Sequence, residues 1–373
     1  LAARVDLSPM SGAFFTGSLV RCSSEVRANR GFGGLFLVSG TTVLAAISGT
    51  IVNTGSAITG RIASFRLPNK CDSNKPSPKA SKSVNFKCSY SNPTTGFVPA
   101  VVAGAALNAG NNSAAACDGT GRSVSLAFNA SGVASTTVTY ADAGLLGLTA
   151  TYTGSGDDAG LTMSGSDTFT AAPASFNFSG VTAGPIKAGV AFEATVTAVN
   201  SGGVKTSNFG RETSPASATL SFTKRQPTGV NSQSGSFTGS LGAFNNGVAS
   251  ASNLVWSEVG NADLSATSSN YLGSGLSVSG STGSGPAGAV GPFVPDHFTV
   301  LVDQACTAGT PDFTYSGEPF DMTVTAHNVA GNPTLNYDGT ANTSPNFAKA
   351  VTLSAATNAG LGTLGTTALP ASA

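Results

Sequence analysis

Charge is scarce in this chain. Only 10% of its 373 residues are Asp, Glu, Lys or Arg, against about 25% in an average soluble protein. The 18 basic and 18 acidic residues cancel, so no electrostatic footprint for nucleic acid is present. Histidine is scarcer still, with His297 and His327 alone, and base chemistry near neutral pH has few places to reside. No Gly-x-Ser-x-Gly elbow, His-Glu-x-x-His helix or phosphate-binding P-loop occurs. The five cysteines form no Cys-x-x-Cys pair, which argues against zinc. No capped 3.6-residue period extends over about twelve residues or more.

Gly, Ala, Ser and Thr fill the space left by charge. Hydrophobic residues still make up 40%, enough for each domain to bury a core. Val, Leu, Phe and Tyr are spread evenly, which a disordered chain would not show. Thr137-Val138-Thr139-Tyr140 and the stretch from Leu146 to Tyr152 alternate apolar and polar residues, as do Phe192 to Val199 and Phe320 to Ala326. Period-two alternation puts one side-chain set into a core and the other into water. Gly, Asn and Asp turns separate these runs, as at Asn129-Ala130-Ser131-Gly132 and Asn200-Ser201-Gly202-Gly203. The expected fold class is all-β, built of tandem immunoglobulin-like antiparallel β-sandwiches.

Duplication sets the domain plan. Phe192-Glu193-Ala194-Thr195-Val196-Thr197-Ala198-Val199-Asn200 returns as Phe320-Asp321-Met322-Thr323-Val324-Thr325-Ala326-His327-Asn328. Gly203, Thr206, Asn208 and Phe209 return as Gly331, Thr334, Asn336 and Tyr337. Phe128 to Ser135 resembles Phe244 to Ser250, and Tyr140, Gly144 and Tyr152 are echoed by Trp256, Gly260 and Tyr271. A period of roughly 120 residues suits a tandem sandwich rather than a solenoid. The echo of Ala171-Ala172-Pro173 in Phe293-Val294-Pro295 marks two joints, where proline stiffens a linker and cannot donate to a central ladder. Ser279 to Gly285 reads as a flexible loop or link. The expected plan is an N-terminal segment 1–59, modules at 60–173 and 174–294, and an incomplete third at 295–373, so that the chain reads as a fragment or a processed form of a longer protein.

The N-terminal segment has two readings. Arg27 and Arg30 precede an uncharged stretch from Gly31 to Gly60, as in a late-starting signal or anchor; the same stretch suits two β-strands around Ser39-Gly40-Thr41. Its Gly, Ser and Thr content argues against a membrane span. Basic residues from Arg4 to Lys87 suit a solvated loop. Cys71, Cys88 and Cys117 can supply one disulfide in an oxidising compartment, as Cys71–Cys88 or Cys88–Cys117. The odd count, with Cys22 and Cys306, leaves at least one thiol over.

Few residues suggest ligand chemistry. His327 is replaced by Val199 in the sister copy, and His297 lies at a joint. Asp157-Asp158 sits in a Gly-rich turn without a third acid, a poor calcium set. Asp142 near Gly144, like Glu258 and Asp263 near Gly260, reads as capping or orienting a turn. Asn200, Asn208, Asn328 and Asn336 read as turn residues that tolerate φ > 0 or bond their own backbone. Asn111-Asn112-Ser113, Asn129-Ala130-Ser131 and Asn342-Thr343-Ser344 fit glycosylation sequons. Tyr140, Trp256 and their neighbours read as core aromatics, with sugar stacking as the functional alternative. No catalytic residue, metal ligand or cofactor site is assigned.

Gly291-Pro292-Phe293-Val294-Pro295-Asp296-His297-Phe298, Ala305-Cys306, Phe313 to Phe320 and Thr334-Leu335-Asn336-Tyr337 occur in this order. With Phe86 to Pro93 and Tyr140 to Gly144, they resemble the large C-terminal region of MshQ-like proteins, encoded with the mannose-sensitive haemagglutinin type IV pilus of Gram-negative bacteria. The resemblance spans roughly residues 60–373. It implies an exported, extracellular or cell-surface protein and carries over no catalytic residues. The expected function is non-enzymatic: a structural or adhesion protein of type IV pilus biogenesis, with pilus proteins, other surface proteins or surface glycans as partners. The alternative is a carbohydrate-binding module array of a larger exported enzyme.

Overall fold

A computed structural model describes residues 46–48, 58–63, 81–129, 132–156, 159–283, 285–304, 313–340, 342–354 and 368–369. Cys22, Cys71, Cys306 and Asp157-Asp158 lie outside these, as do most of the stretch from Gly31 to Gly60 and, in one sequon, Ala130-Ser131. The protein is all-β, and no α-helix occurs among the described residues. Among the described residues no helix is long and apolar enough to cross a membrane.

Before Pro173 the described strands are β1 (Ala46–Ser48), β2 (Ile58–Ala63), β3 (Ser81–Asn92), β4 (Ala100–Val102), β5 (Ala105–Ala106), β6 (Arg122–Ala127), β7 (Ala134–Tyr140), β8 (Gly144–Thr153) and β9 (Thr162–Ala171). They make two antiparallel sheets, ordered β1-β2-β7-β4-β5 and β6-β3-β8-β9. The first sheet takes in strands before residue 60, because β2 pairs with β7 from Ile58↔Val138 to Ile62↔Ala134. A module start at residue 60 is therefore too late. Burial alternates as expected: Leu146, Leu148, Ala150 and Tyr152 of β8 face inward with Val84 and Phe86 of β3.

Cys88 of β3 is bonded to Cys117 in the β5–β6 connection, with Cα atoms 5.7 Å apart. The same connection is held by Tyr90, whose hydroxyl accepts the Cys117 N–H (2.9 Å) and donates to the Val98 carbonyl (2.6 Å). The bridge closes a loop across a sequence separation of 29. Removing it with paired Cys→Ser substitutions is expected to cost about 3 kcal/mol, mainly through the unfolded chain. Urea unfolding with and without reductant checks this.

The next strands are β10 (Ser175–Ser179), β11 (Ile186–Lys187), β12 (Phe192–Val199), β13 (Thr219–Gln226), β14 (Phe237–Thr238), β15 (Val248–Trp256), β16 (Gly260–Ser268), β17 (Val278–Ser281) and β18 (Val290–Val294). One sheet is β10-β12-β15-β14; the other is β11-β18-β16-β13, with β17 also on β16. The β11–β18 pair is parallel, a departure from the otherwise antiparallel pairing of the described strands. Ser279 to Ser281, expected in a flexible link, lie instead in β17 and pair with β16 at Thr267, Ala266 and Ser265. Between the sheets, Phe192, Phe222, Trp256 and Phe293 pack edge-to-face or tilted, a favoured aromatic geometry. Trp256 is fully buried and Tyr140 nearly so, which makes them core residues and removes them as sugar-stacking platforms.

Beyond Pro295 come β19 (His297–Asp303), β20 (Asp321–His327), β21 (Val351–Thr352) and β22 (Ala368–Leu369). β19 pairs with β20 from His297↔His327 to Asp303↔Asp321. β20 is the sequence copy of β12, as β19 is of β10.

Candidate functional site: the repeated joints between modules

The duplicated polar residues meet where one module ends against the next. At the first joint, the β7–β8 turn offers Ala141, Asp142 and Ala143. The facing residues lie between β12 and β13. Asn200 Nδ2 donates to the Ala141 carbonyl (2.9 Å) and the Asn208 N–H donates to Asp142 Oδ1 (2.9 Å). Asn208 Nδ2 reaches the Tyr140 hydroxyl oxygen (2.9 Å). At the second joint, the β15–β16 turn offers Ser257, Glu258 and Val259. Asn328 Nδ2 donates to the Ser257 carbonyl (3.1 Å). The Leu335 and Asn336 N–H groups donate to Glu258 Oε1 and Oε2, each at 3.0 Å. Asn336 Nδ2 donates to the Gln233 and Val259 carbonyls.

The two joints therefore share one plan. An acid in the tight turn of one module accepts backbone N–H groups of the next, and an asparagine of the next module caps the turn carbonyl before that acid. Charge-assisted bonds of this kind are shorter and stronger than neutral ones. Asp142, Asn208, Glu258 and Asn336 are all buried, where an unmade bond costs most.

The turn itself is built around glycine. Gly144 has φ 139° and Gly260 φ 140°, a region closed to residues with a Cβ. A Cβ on Gly260 would lie 2.0 Å from the Gln226 carbonyl oxygen, and one on Gly144 2.8 Å from that of Asn92. Glycine thus lets the outgoing strand pass close to its neighbour and sets the direction of the acid beside it.

Side contacts differ between the joints. In the first, Arg211 lies 4.5 Å over the Phe97 ring and donates through Nη2 to Thr95 Oγ1 (3.0 Å). The Thr213 N–H donates to Asn92 Oδ1 (2.8 Å). Ala143 and Ala172 pack with Phe176, Phe209 and Phe244 in one apolar cluster. In the second, Thr228 and Ser344 exchange backbone bonds of 2.7 and 2.8 Å. Lys187 Nζ lies 3.0 Å from Asp296 Oδ1, and the Val329 N–H donates to the Ala188 carbonyl (3.0 Å).

The sequence reading placed these residues only in part. Asn200 and Asn328 do close their own turns, accepting N–H groups of residues two and four positions on. Neither they nor Asn208 and Asn336 have positive φ. Asp142 does accept the Ala143 N–H, but its longer-range partner is Asn208. Asp263, expected to orient the Gly260 turn, belongs to β16; it is paired with Arg225 (2.7 Å) and accepts the Ala289 N–H. The available signal was joint recurrence: the acid turn and the asparagine pair both repeat, and each copy of one faces a copy of the other.

The histidines come together. His297 and His327 stack with ring centroids 5.4 Å apart. Asp296 Oδ2 lies 2.8 Å from His297 Nδ1, so these neighbours do meet. His327 Nδ1 is 2.8 Å from the Gly331 carbonyl oxygen, hence the protonated nitrogen, and Thr299 Oγ1 is 2.8 Å from Nε2. His297 and the lysine at 187 hold the Asp296 carboxyl below the usual carboxylate range. His297 and Lys187 are exposed and Asp296 and His327 are half-buried, and no group of three or more His, Cys, Asp or Glu positioned for a metal occurs among the described residues.

Residues 31–166 match the family model of a domain of unknown function, DUF6701, described as its first Ig-like domain. Residues 258–372 match the DUF6701 third domain; that match begins at Glu258 and so includes β16 to β18, which pair within the second sandwich. No curated protein matches the sequence. Among solved structures, the chain is similar to FdeC, described as a novel broadly conserved Escherichia coli adhesin eliciting protection against urinary tract infections. The two are 14% identical, over 78% of this chain and 74% of that chain, with a TM-score of 0.27. The chain thus matches one family, DUF6701, at the first and the third of its domains.

Proposed function

We propose that this is a non-enzymatic cell-surface protein whose stacked Ig-like modules form a stiff stalk or adhesion segment, working with type IV pilus assembly. The observation that carries this reading is the repeated joint. A flexible tether needs no buried acid–amide bonds between neighbours, whereas a segment that projects a partner or transmits force does. The Cys88–Cys117 bridge supports export, because disulfides persist in oxidising compartments. Burial of Tyr140 and Trp256 weighs against the reading as a carbohydrate-binding array. Pilus proteins, other surface proteins and surface glycans are the proposed partner classes.

Antibody labelling of intact producing cells tests location, with surface staining expected. Staining only after the cells are broken open would contradict it. Deleting the gene and counting pili tests the pilus link, with fewer pili expected and an unchanged count opposing it.

A further inference from the structure

The first joint is unbalanced in charge. Asp142 and Glu212 are each 3% exposed within it. Among the described residues the cation acting on Asp142 is Arg211, whose guanidinium donates instead to Asn208 Oδ1 (3.1 Å) and Thr95 Oγ1 (3.0 Å). Glu212 is well supplied with donors: the N–H groups of Gly210 and Ala216 and the Tyr271 hydroxyl, at 2.8, 3.0 and 2.6 Å. Asp142 receives both of its N–H donors, from Ala143 and Asn208, on Oδ1. The remaining titratable groups turned toward Asp142 are phenols: Tyr140 of β7, Tyr90 of β3, and Tyr271 beyond β16. A phenol brings no positive charge. In the second joint the buried acid, Glu258, has the Lys224 ammonium near it.

We propose that the first joint takes up a proton as it closes, on Oδ2 of Asp142, so that these two modules lock more firmly in mildly acidic surroundings than in alkaline ones. A proton on Oδ2 displaces neither N–H donor from Oδ1. It also removes a buried negative charge that has no ion-pair partner among the described residues, the expensive species in a low-dielectric interface.

Burial pushes the Asp142 carboxyl up to about 6, against the opposing pull of its N–H donors and Arg211. The open joint exposes the turn, and the carboxyl returns toward its ordinary 3.8. Between those values the closed form holds a proton that the open form lacks, so closure weakens as pH rises. Over the interval from about pH 5 to about pH 8 the closing constant is expected to fall about tenfold.

Two measurements on the full chain test this. The first follows the Asp142 carboxyl carbon by NMR against pH. A midpoint near 6 is expected, and a midpoint in the ordinary aspartate range overturns the proposal. The second compares the hydrogen-exchange protection factor of the Asn208 amide at about pH 5 and about pH 8. Roughly tenfold greater protection at the lower pH is expected in the wild type, and none of that change in Asp142→Asn, whose amide oxygen accepts the same bonds. Equal protection at both pH values in the wild type, or an undiminished change in Asp142→Asn, refutes it. Should the variant fail to fold, the carboxyl titration of the wild type decides alone.

Discussion

Replacing Glu258 by alanine is expected to free the third module from the second while leaving each sandwich folded. The carboxylate accepts the Leu335 and Asn336 N–H groups at 3.0 Å each. Both would lose a charged acceptor inside a joint where Glu258 is 5% exposed and Asn336 fully buried. Hydrogen bonds to charged groups contribute about 1.5–3 kcal/mol each, and an unsatisfied buried donor loses at least as much. The expected cost to the joint is therefore about 3–6 kcal/mol. Glu258→Gln should cost at least half of this but less than Glu258→Ala, because one amide oxygen still accepts while the amide nitrogen cannot. The readout is protection of the Asn336 amide, which should collapse while amides of β16 remain protected. Loss of protection throughout β13 and β16 would mean that Glu258 supports the sandwich rather than the joint.

The other large effect is expected at Trp256. Its ring is fully buried against Phe222 and Phe293, with centroids 5.0 Å away in both cases. Its Nε1 donates to the Ser234 carbonyl (2.9 Å), and its own carbonyl accepts the Gly189 N–H (2.7 Å). Truncation to alanine removes the largest side chain of this core and leaves a cavity between two sheets that cannot close fully. Such substitutions cost about 3–5 kcal/mol. Trp256→Phe keeps most of the volume and loses the Nε1 donor, so about 1–2 kcal/mol is expected for it. Denaturant midpoints of the three proteins, followed by circular dichroism, check the order. Because Trp256 leads directly into Ser257 and Glu258, the alanine variant should loosen the second joint as well, and the first joint should not change.

Much of the fold was legible because it rests on local rules. Alternation in Leu146 to Tyr152 and in Phe192 to Ala198 gave β8 and β12, and burial follows that alternation, with Val199 buried as well at the end of β12. The duplication from Phe192 to Asn200 exposed the tandem plan. The close-packed β17 escaped because, after Val278, its Ser-Gly-Ser run carries no β-branched or aromatic signal. β1 and β2 were open to a signal-peptide reading, since an uncharged run serves either purpose. The joints were hidden for a different reason. Asp142 meets Asn208 across a separation of 66 residues and Glu258 meets Asn336 across 78. Nothing local distinguishes an acid that orients its own turn from one that also binds the next module. Recurrence carried that information: each turn acid has a repeated asparagine to face.

Fixed orientation across the joints is tested most directly by residual dipolar couplings measured on the intact chain in one weakly aligning medium. Amides of the first and second sandwiches, fitted separately, should return alignment tensors of the same magnitude and direction. Two tensors of unequal magnitude would show that the modules reorient independently and that the acid–asparagine contacts do not hold them.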